Sequence, residues 1–372
     1  MQPPPRQSFF LFGPRGVGKT AWLHQQFPGA LFFDMLDHQV YMQLLAGPER
    51  LGERIPRGHK DWVVVDEIQR VPELLNEVHR IIESRKLRFA LTGSSARKLR
   101  RRGVNLLAGR AVTRHMHPLT ALELGKDFDL KRALRNGCLP LACTSDNPKD
   151  YLKSYAATYL REEVQQEGLA RNIGAFGRFL EAASFSQGGV LNMAAVAREC
   201  AVSVKVVEDY FSILEDLMIA VRLPVFSKRA KRRLIAHPKF YYFDAGVFQA
   251  IRPRGPLDAP EQIHGPALET LFLQQVRALN DYKALGYRLH YWRTANGDEV
   301  DFVLYGERGL RAFEVKMAHN VRPDDLRSLL RFRADFPQAK AHLLYLGQRR
   351  WHDRGIDVLP LIDCVRKLDQ WL

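Results

Sequence analysis

Cysteine is scarce in this chain of 372 residues: Cys138, Cys143, Cys200 and Cys364 form no CxxC pair, and no histidine group stands beside them at zinc-ligand spacing. That excludes a disulfide-stapled scaffold and a zinc finger, and free thiols in a reducing cytosol fit best. Long apolar runs are also missing. The run Phe9 to Phe12 is four residues long and enters a charged glycine loop, so neither a signal peptide nor a membrane span of about 18 apolar residues is expected. Sequence repeats are absent as well. Hydrophobic residues at 46% and charged residues at 26% are ordinary for a folded chain, and the length suits about two to three domains of ~150 residues.

Among the cations lysine is the minor species: 16 Lys stand beside 40 Arg, and 56 cations against 41 acids leave a net charge of +15. Guanidinium forks pair with phosphate oxygens two at a time. The balance therefore favours nucleic acid or nucleotide phosphates as partners over acidic proteins.

Five short apolar runs, Ser8 to Phe12, Ala30 to Asp34, Trp62 to Asp66, Leu87 to Thr92 and Ala111 to His117, alternate with helical patterns. That rhythm predicts a parallel, helix-covered sheet. Pro, Gly and Asp cluster at Thr144 to Asp150 and at Ile251 to Pro266, and the second cluster reads as an interdomain linker. The stretch between them is helical and then strand-like at Ala220 to Phe226 and Phe240 to Phe243. After the linker come a helix at Pro266 to Asn280, strands at Leu289 to Thr294, Glu299 to Tyr305 and Leu310 to Lys316, a helix at Pro323 to Phe336 and a strand at Ala341 to Leu346.

Gly13-Pro14-Arg15-Gly16-Val17-Gly18-Lys19-Thr20 completes the pattern G-x-x-x-x-G-K-[ST] between an apolar strand and a helical segment, the context such a phosphate-binding loop requires. Glycines let backbone N–H groups wrap phosphates at a helix N-terminus, where the dipole also favours anions. Lys19 is expected to meet the β and γ phosphates of ATP, and Thr20 to offer its hydroxyl to Mg²⁺. A second acid on the metal side is expected to end a neighbouring apolar strand. Asp66 in Trp62-Val63-Val64-Val65-Asp66-Glu67 supplies it, with Glu67 one residue on to polarise the attacking water. Thr92-Gly93-Ser94-Ser95 closes the next strand with small hydroxyls, Ser94 among them, that suit γ-phosphate sensing or water orientation. Arg110, before the fifth strand, suits a finger reaching a neighbouring subunit's nucleotide; a surface ion pair is the rival reading.

The order of GPRGVGKT, VVVDEIQRVPELL, LTGSS, LAGR and HPLTALE resembles AAA+-type bacterial and archaeal ATPases with a middle winged-helix region and a C-terminal nuclease-like domain. SYAATYLREEV and HPKFYYFDAGV resemble the middle region of that family, so the likeness covers nearly the whole chain. It implies a five-stranded ASCE core, ATP and Mg²⁺ as cofactors, and a homo-oligomeric ring of about six subunits. One departure is Asn136-Gly137-Cys138-Leu139-Pro140-Leu141, where relatives carry a GG-aromatic-PE turn and this chain has no glutamate after Pro140.

Asn192 to Cys200, a turn at Ala201 to Ser203 and Val204 to Met218 have helix-turn-helix spacing, followed by a wing-like segment. The second helix carries Glu208, Asp209, Glu215 and Asp216 against Lys205, so it is poorly suited to a DNA groove. Lys228, Arg229, Lys231, Arg232 and Arg233 are better placed to clamp phosphates, and Arg97, Lys98, Arg100, Arg101 and Arg102 form a second basic candidate. For each run a solvated charged surface is the rival.

In the last segment Glu269 lies on the helix, Asp301 on the second strand and Glu314-Val315-Lys316 on the third, where alternation puts Glu314 and Lys316 on one face. Asp301 and Glu314 can hold Mg²⁺ against a scissile phosphate while the Lys316 ammonium steadies the attacking water. GDEVDFVL and FEVK resemble the acid and ExK elements of the PD-(D/E)xK nuclease superfamily, with Glu269 as its helix acid.

The expected fold is α/β: a parallel five-stranded P-loop AAA+-like sheet over 1–125, a helical lid and winged-helix region over 126–250, a linker over 251–266, and a restriction-endonuclease-like α/β domain over 267–372. The expected function is a cytoplasmic Mg²⁺-dependent ATPase that couples hydrolysis to DNA binding and remodelling or translocation, with an appended metal-dependent nuclease-like domain. The alternative is a nucleotide-gated switch whose outer domains bind DNA or a protein partner without cleavage.

Overall fold

In a computed structural model, which describes all residues except 1–6, 95–98, 100–106, 160–161, 163, 165–171, 228–236 and 257, the five apolar runs become five strands. They are β1 (Ser8–Phe12), β2 (Leu31–Asp34), β3 (Trp62–Asp66), β4 (Arg88–Gly93) and β5 (Ala111–His115). All pair in parallel, in the order β2-β3-β4-β1-β5. The runs of β1, β3 and β4 are mostly apolar because these central strands are buried on both faces. The helix Leu74–Arg85 shows the matching pattern, turning Leu74, Leu75, Val78 and Ile81 inward. β4 stands between β1 and β3, so the strand carrying Asp66 is not the bonded neighbour of the strand feeding the glycine loop, as the sequence suggested. Order along the chain does not fix order across a parallel sheet, because each connection crosses over the sheet.

The chain divides into two compact units, one made of the described residues up to His117 with Asp216–Met218, the other of Pro118–Glu215 with Ile219–Leu372. The second unit opens on a capped turn. Thr120 Oγ1 accepts the Glu123 N–H and the Glu123 carboxylate accepts the Thr120 N–H, a reciprocal capping box for the helix Ala121–Leu124. Gln274 donates to the Pro118 and Leu119 carbonyls at 2.9 and 3.0 Å, and the Ala121 N–H donates to Gln275 at 2.7 Å.

The helices Met193–Cys200 and Val204–Asp216 follow one another through Ala201, whose φ of 53° turns the chain. A two-stranded antiparallel ribbon follows, β6 (Ala220–Leu223) and β7 (Lys239–Tyr242). Both runs of basic residues singled out in the sequence, 97–102 and 228–233, lie outside the described residues but for Leu99.

The C-terminal sheet has six strands, β8 (Arg288–Arg293), β9 (Glu299–Gly306), β10 (Gly309–Val315), β11 (Lys340–Tyr345), β12 (Trp351–Asp353) and β13 (Ile356–Pro360), in the order β12-β13-β11-β10-β9-β8. The sequence reading reached four of these. The last two, a three-residue strand and a five-residue strand joined through Gly355 at φ 83°, are too short for a strong alternation signal.

The span read as a linker is built differently. The helix Glu261–Tyr282 starts within it, with Pro266 inside. Burial of Ile263, Ala267, Leu268 and Leu271 along one helix outweighs the one backbone bond that proline removes. Arg252 is buried there too, its guanidinium over the Phe185 ring and its Nη2 3.0 Å from Asp258. Phe128, Ala133, Cys138 and Tyr241 of the middle segment share one apolar core with Phe272, Phe302 and Phe313 of the C-terminal segment.

One clasp inside this unit explains the turn at Asn136 to Leu139. The buried Asp244 carboxylate accepts the Cys138 N–H at 2.7 Å and caps the helix Ala245–Ile251 through the N–H groups of Gly246 and Val247. Gly137 sits at φ 70°, and a Cβ there would fall 1.9 Å from Asp244 Oδ1. Burial pushes the Asp244 carboxyl up to about 6, against the pull of those three N–H groups.

Candidate functional site

The glycine loop follows β1 directly. The Phe12 carbonyl accepts the Met116 N–H at 2.7 Å, and a Cβ on Gly13 would lie 2.4 Å from the Met116 carbonyl oxygen, so glycine is required. Gly16 and Gly18 hold φ of 82° and 92°, values that glycine adopts without cost. The helix Lys19–Gln26 starts at once. Lys19 is buried and its Nζ donates to the Gly13 and Pro14 carbonyls at 2.8 and 3.2 Å, so the loop curls over its own ammonium.

Two hydroxyls hold Asp66. Thr20 Oγ1 donates to Asp66 Oδ2 at 2.6 Å, and the Thr92 hydroxyl donates to Asp66 Oδ1. Thr92 in turn accepts the Glu67 N–H at 3.0 Å. Glu67 itself sits at φ 57°, left-handed backbone that costs a residue with a side chain ~1–3 kcal/mol. Its carboxylate accepts the Gln69 amide, which also lies 3.4 Å from Ser94 Oγ. Thr20, Asp66, Glu67 and Ser94 are thus linked at the carboxyl edge of the sheet.

Arg110 is elsewhere in the same unit. β5 runs parallel to β1 with Ala111 opposite Ser8, so Arg110 lies at the amino edge, across the sheet from the loop. It pairs with Glu83 near the end of the helix Leu74–Arg85, and the guanidinium holds the Glu83 carboxyl below its ordinary range.

A second cluster forms where β7, β9, β10 and the helix Glu261–Tyr282 meet. Asp301 and Glu314 face each other across the antiparallel β9/β10 pair, next to the partners Phe302 and Phe313. Lys316 Nζ lies 2.7 Å from Glu314 Oε1, and the Tyr241 hydroxyl donates to Glu269 at 2.6 Å. Lys239, 2% exposed, puts its Nζ 3.2 Å from Asp301 and 2.6 Å from Glu299. Burial, reinforced by the Asp301 charge, pushes both Glu269 and Glu314 above the ordinary carboxyl range. Burial works to lower the Lys239 ammonium as well, but the carboxylates of Asp301, Glu269 and Glu299 outweigh it and raise the group.

The expected acids and Lys316 are brought together here. Among the described residues, however, no group of three or more His, Cys, Asp or Glu is arranged to hold a metal ion. The donor set of the expected nuclease-type Mg²⁺ site does not fit that ion, because an ammonium already rests on Asp301 and another on Glu314.

A basic pocket of about 280 Å³ lies in the second unit, lined by Arg135, Lys149, Lys153, Arg252 and Arg254 with no acidic side chain in its wall. The buried Arg252 Nη1 has no hydrogen-bond partner among the described residues. Sequence reasoning passed these residues over because they come from three separated segments.

The first of these sites lies in a segment that matches a known family. Residues 5–125 match the AAA domain family. Residues 127–258 and 264–363 match two families, each described as a domain of unknown function (DUF8612 and DUF4143). No curated protein matches the chain. Among solved structures, protein VC1899 from Vibrio cholerae aligns over 92% of this chain and 97% of its own at 14% identity, with a TM-score of 0.24, too weak a likeness to carry an argument. The AAA domain and its five-stranded parallel sheet make the first unit a P-loop fold of the nucleotide-hydrolysing kind.

Within the AAA domain the sequence missed two residues. Thr92 was noted only as a small hydroxyl; its register beside Asp66 follows from Val65 pairing with Leu91. Gln69 carried no signal, since its contact with Glu67 depends on the short turn Ile68–Arg70. Among the described residues no helix is long and apolar enough to cross a membrane.

Proposed function

We propose that the chain is a Mg²⁺-dependent ATP hydrolase that uses turnover to work on DNA. The observation that carries this reading is the Thr20–Asp66 contact at 2.6 Å beside the buried Lys19. A hydroxyl and a carboxylate touching at the head of a glycine-wrapped helix are the pair that would hold Mg²⁺, and Lys19 would hold the phosphates. Bound ATP supplies the electrophilic γ-phosphorus. Glu67 then orients and deprotonates the attacking water, Gln69 fixes the Glu67 carboxylate, and Ser94 lies within reach of the same amide.

DNA as the partner is supported by the net charge of +15 and by the basic pocket of the second unit. Assembly into a ring with Arg110 acting on a neighbour's nucleotide rests on the family resemblance alone and requires the Arg110–Glu83 pair to open. Arg110→Ala is then expected to abolish turnover while ATP binding survives; unchanged turnover removes the finger. A second reading, a nucleotide-gated switch that binds DNA or protein without cutting, is favoured by the ammonium groups lying on the C-terminal carboxylates.

The deciding experiment is ATP hydrolysis with and without linear, forked, junction and single-stranded DNA at fixed salt, with Glu67→Gln as control. Stimulation by one DNA structure supports the motor. Slow turnover that no DNA changes supports the switch, and no turnover in the wild type beyond that of Glu67→Gln overturns the ATPase.

A further inference from the structure

A divalent ion seated on Asp301 and Glu314 needs carboxylate oxygens whose lone pairs are open to it. Each of those four oxygens already gives one of its two lone pairs to a donor, and on each residue one of those donors is an ammonium, whose charge repels a divalent ion. Asp301 Oδ1 faces Lys239 Nζ at 3.2 Å and Oδ2 accepts the Val315 N–H at 3.0 Å. Glu314 Oε1 faces Lys316 Nζ at 2.7 Å and Oε2 accepts the Asp301 N–H at 3.3 Å. The remaining acids are engaged as well, Glu299 by Lys239 at 2.6 Å and Glu269 by the Tyr241 hydroxyl at 2.6 Å.

Lys239 is not a surface lysine that has swung in. It lies on β7, whose register pairs Lys239 with Leu223 of β6. Tyr242, three residues on, is held by its N–H on Gln187 at 2.9 Å and by its hydroxyl on the Leu180 carbonyl at 2.7 Å. Strand alternation sends Lys239 and Tyr241 to the same face, so one strand from the middle segment delivers a cation and a phenol together onto acids of the C-terminal segment. Removing a buried ammonium from its carboxylates leaves uncompensated charge on both sides, which opposes exchange for a metal.

We propose that Lys239 is the resident cation of this acid cluster, standing where a nuclease of this pattern would seat its divalent ion, so that the cluster joins β7 to β9 and β10 and supports no metal-assisted cleavage. The inference holds whether or not the AAA domain hydrolyses ATP, since it uses residues of the second unit alone.

The test is Mn²⁺ titration of the full-length, nucleotide-free protein, followed by calorimetry and by the electron paramagnetic resonance of unbound Mn²⁺. The wild type is expected to show no site that Asp301→Asn removes. Lys239→Met is expected to gain one Mn²⁺ site, about tenfold or more tighter than any uptake by the wild type, and to lose it again when Glu314→Gln is added. A wild-type site abolished by Asp301→Asn overturns the proposal, and so does a folded Lys239→Met protein that binds no more Mn²⁺ than the wild type. Should Lys239→Met fail to fold, nicking of supercoiled DNA in Mg²⁺ or Mn²⁺ decides with the wild type and Asp301→Asn: equal background supports the resident lysine, and metal-dependent nicking lost in the variant overturns it.

Discussion

The glycine-loop site of the first unit and the acid cluster of the second hold their charged groups in opposite ways. In the AAA domain neutral groups do the steering: carbonyls of Gly13 and Pro14 position Lys19, and hydroxyls of Thr20 and Thr92 position Asp66. In the second unit the charges are set against one another, Lys239 on Asp301 and Glu299, Lys316 on Glu314. Hydroxyls and carbonyls orient an ionised side chain while leaving its charge for a ligand. An ammonium on a carboxylate cancels the charge in place. Residues of catalytic type in a suggestive order therefore describe an active site only where their charge is not already spent inside the protein.

The largest effect expected from this contrast falls on turnover. Glu67→Gln should lower phosphate release by ~10²–10⁴-fold while fluorescent-nucleotide binding persists. Equal turnover in the variant would mean that Glu67 does not activate the water, and the contrast would lose its catalytic side.

Next comes the clasp of the second unit. Gly137→Ala puts a methyl group onto Asp244 Oδ1 at a φ of 70°, and should cost ~2–4 kcal/mol in denaturant unfolding. Asp244 gives that unit its own pH dependence. Its folded value of about 6 lies above the usual 3.8, so the unfolded chain releases the proton first. Stability is greatest below about pH 4 and falls as pH rises through 6, with about 3 kcal/mol as the upper bound. Melting from pH 4 to 8 should show a fall between pH 4 and 6 that is steeper in the wild type than in Asp244→Asn, since the raised carboxyls of Glu269 and Glu314 contribute the same fall to both, and the variant starts lower because it lacks an acceptor for the Cys138 N–H.

The smallest effect sharpens the comparison from the side of the AAA domain. Thr92→Val removes one hydroxyl from Asp66 and should cost ~1–2 kcal/mol, with a fall in turnover larger than the loss of nucleotide binding. A variant that binds and hydrolyses ATP like the wild type would show that Thr20 alone suffices to hold Asp66.

Much of the AAA domain was legible because its signals are local. The loop occupies Gly13 to Thr20, and all five strands were found to within a residue or two of their ends. Asp66 and Glu67 were legible because an apolar strand can end on adjacent acids only at an exposed edge or a site. In the second unit Glu269, Asp301, Glu314 and Lys316 were found by their order on the expected elements, but Lys239 was not. It stands 62 residues from Asp301 along the chain, just before the aromatic run Phe240 to Phe243 that reads as plain core, and that run is core. The linker reading failed to see the helix starting at Glu261 because proline and glycine mark a loop only when the flanking apolar face is too short to override them.

The sequence by itself determined the glycine loop, the acids at the strand ends and the alternation that puts Glu314 and Lys316 on one face. Each of these is a property of a few consecutive residues, set by φ preferences and by the periods of helix and strand. Only the tertiary structure decided that β4 separates the loop from Asp66, that Thr92 meets Asp66, that Asp244 locks the turn at Gly137, and that Lys239 lies on the carboxylates of Asp301 and Glu299. These are contacts between residues distant along the chain. They follow from which strands and helices become neighbours, and that choice belongs to the packing of whole cores and not to any local run of residues.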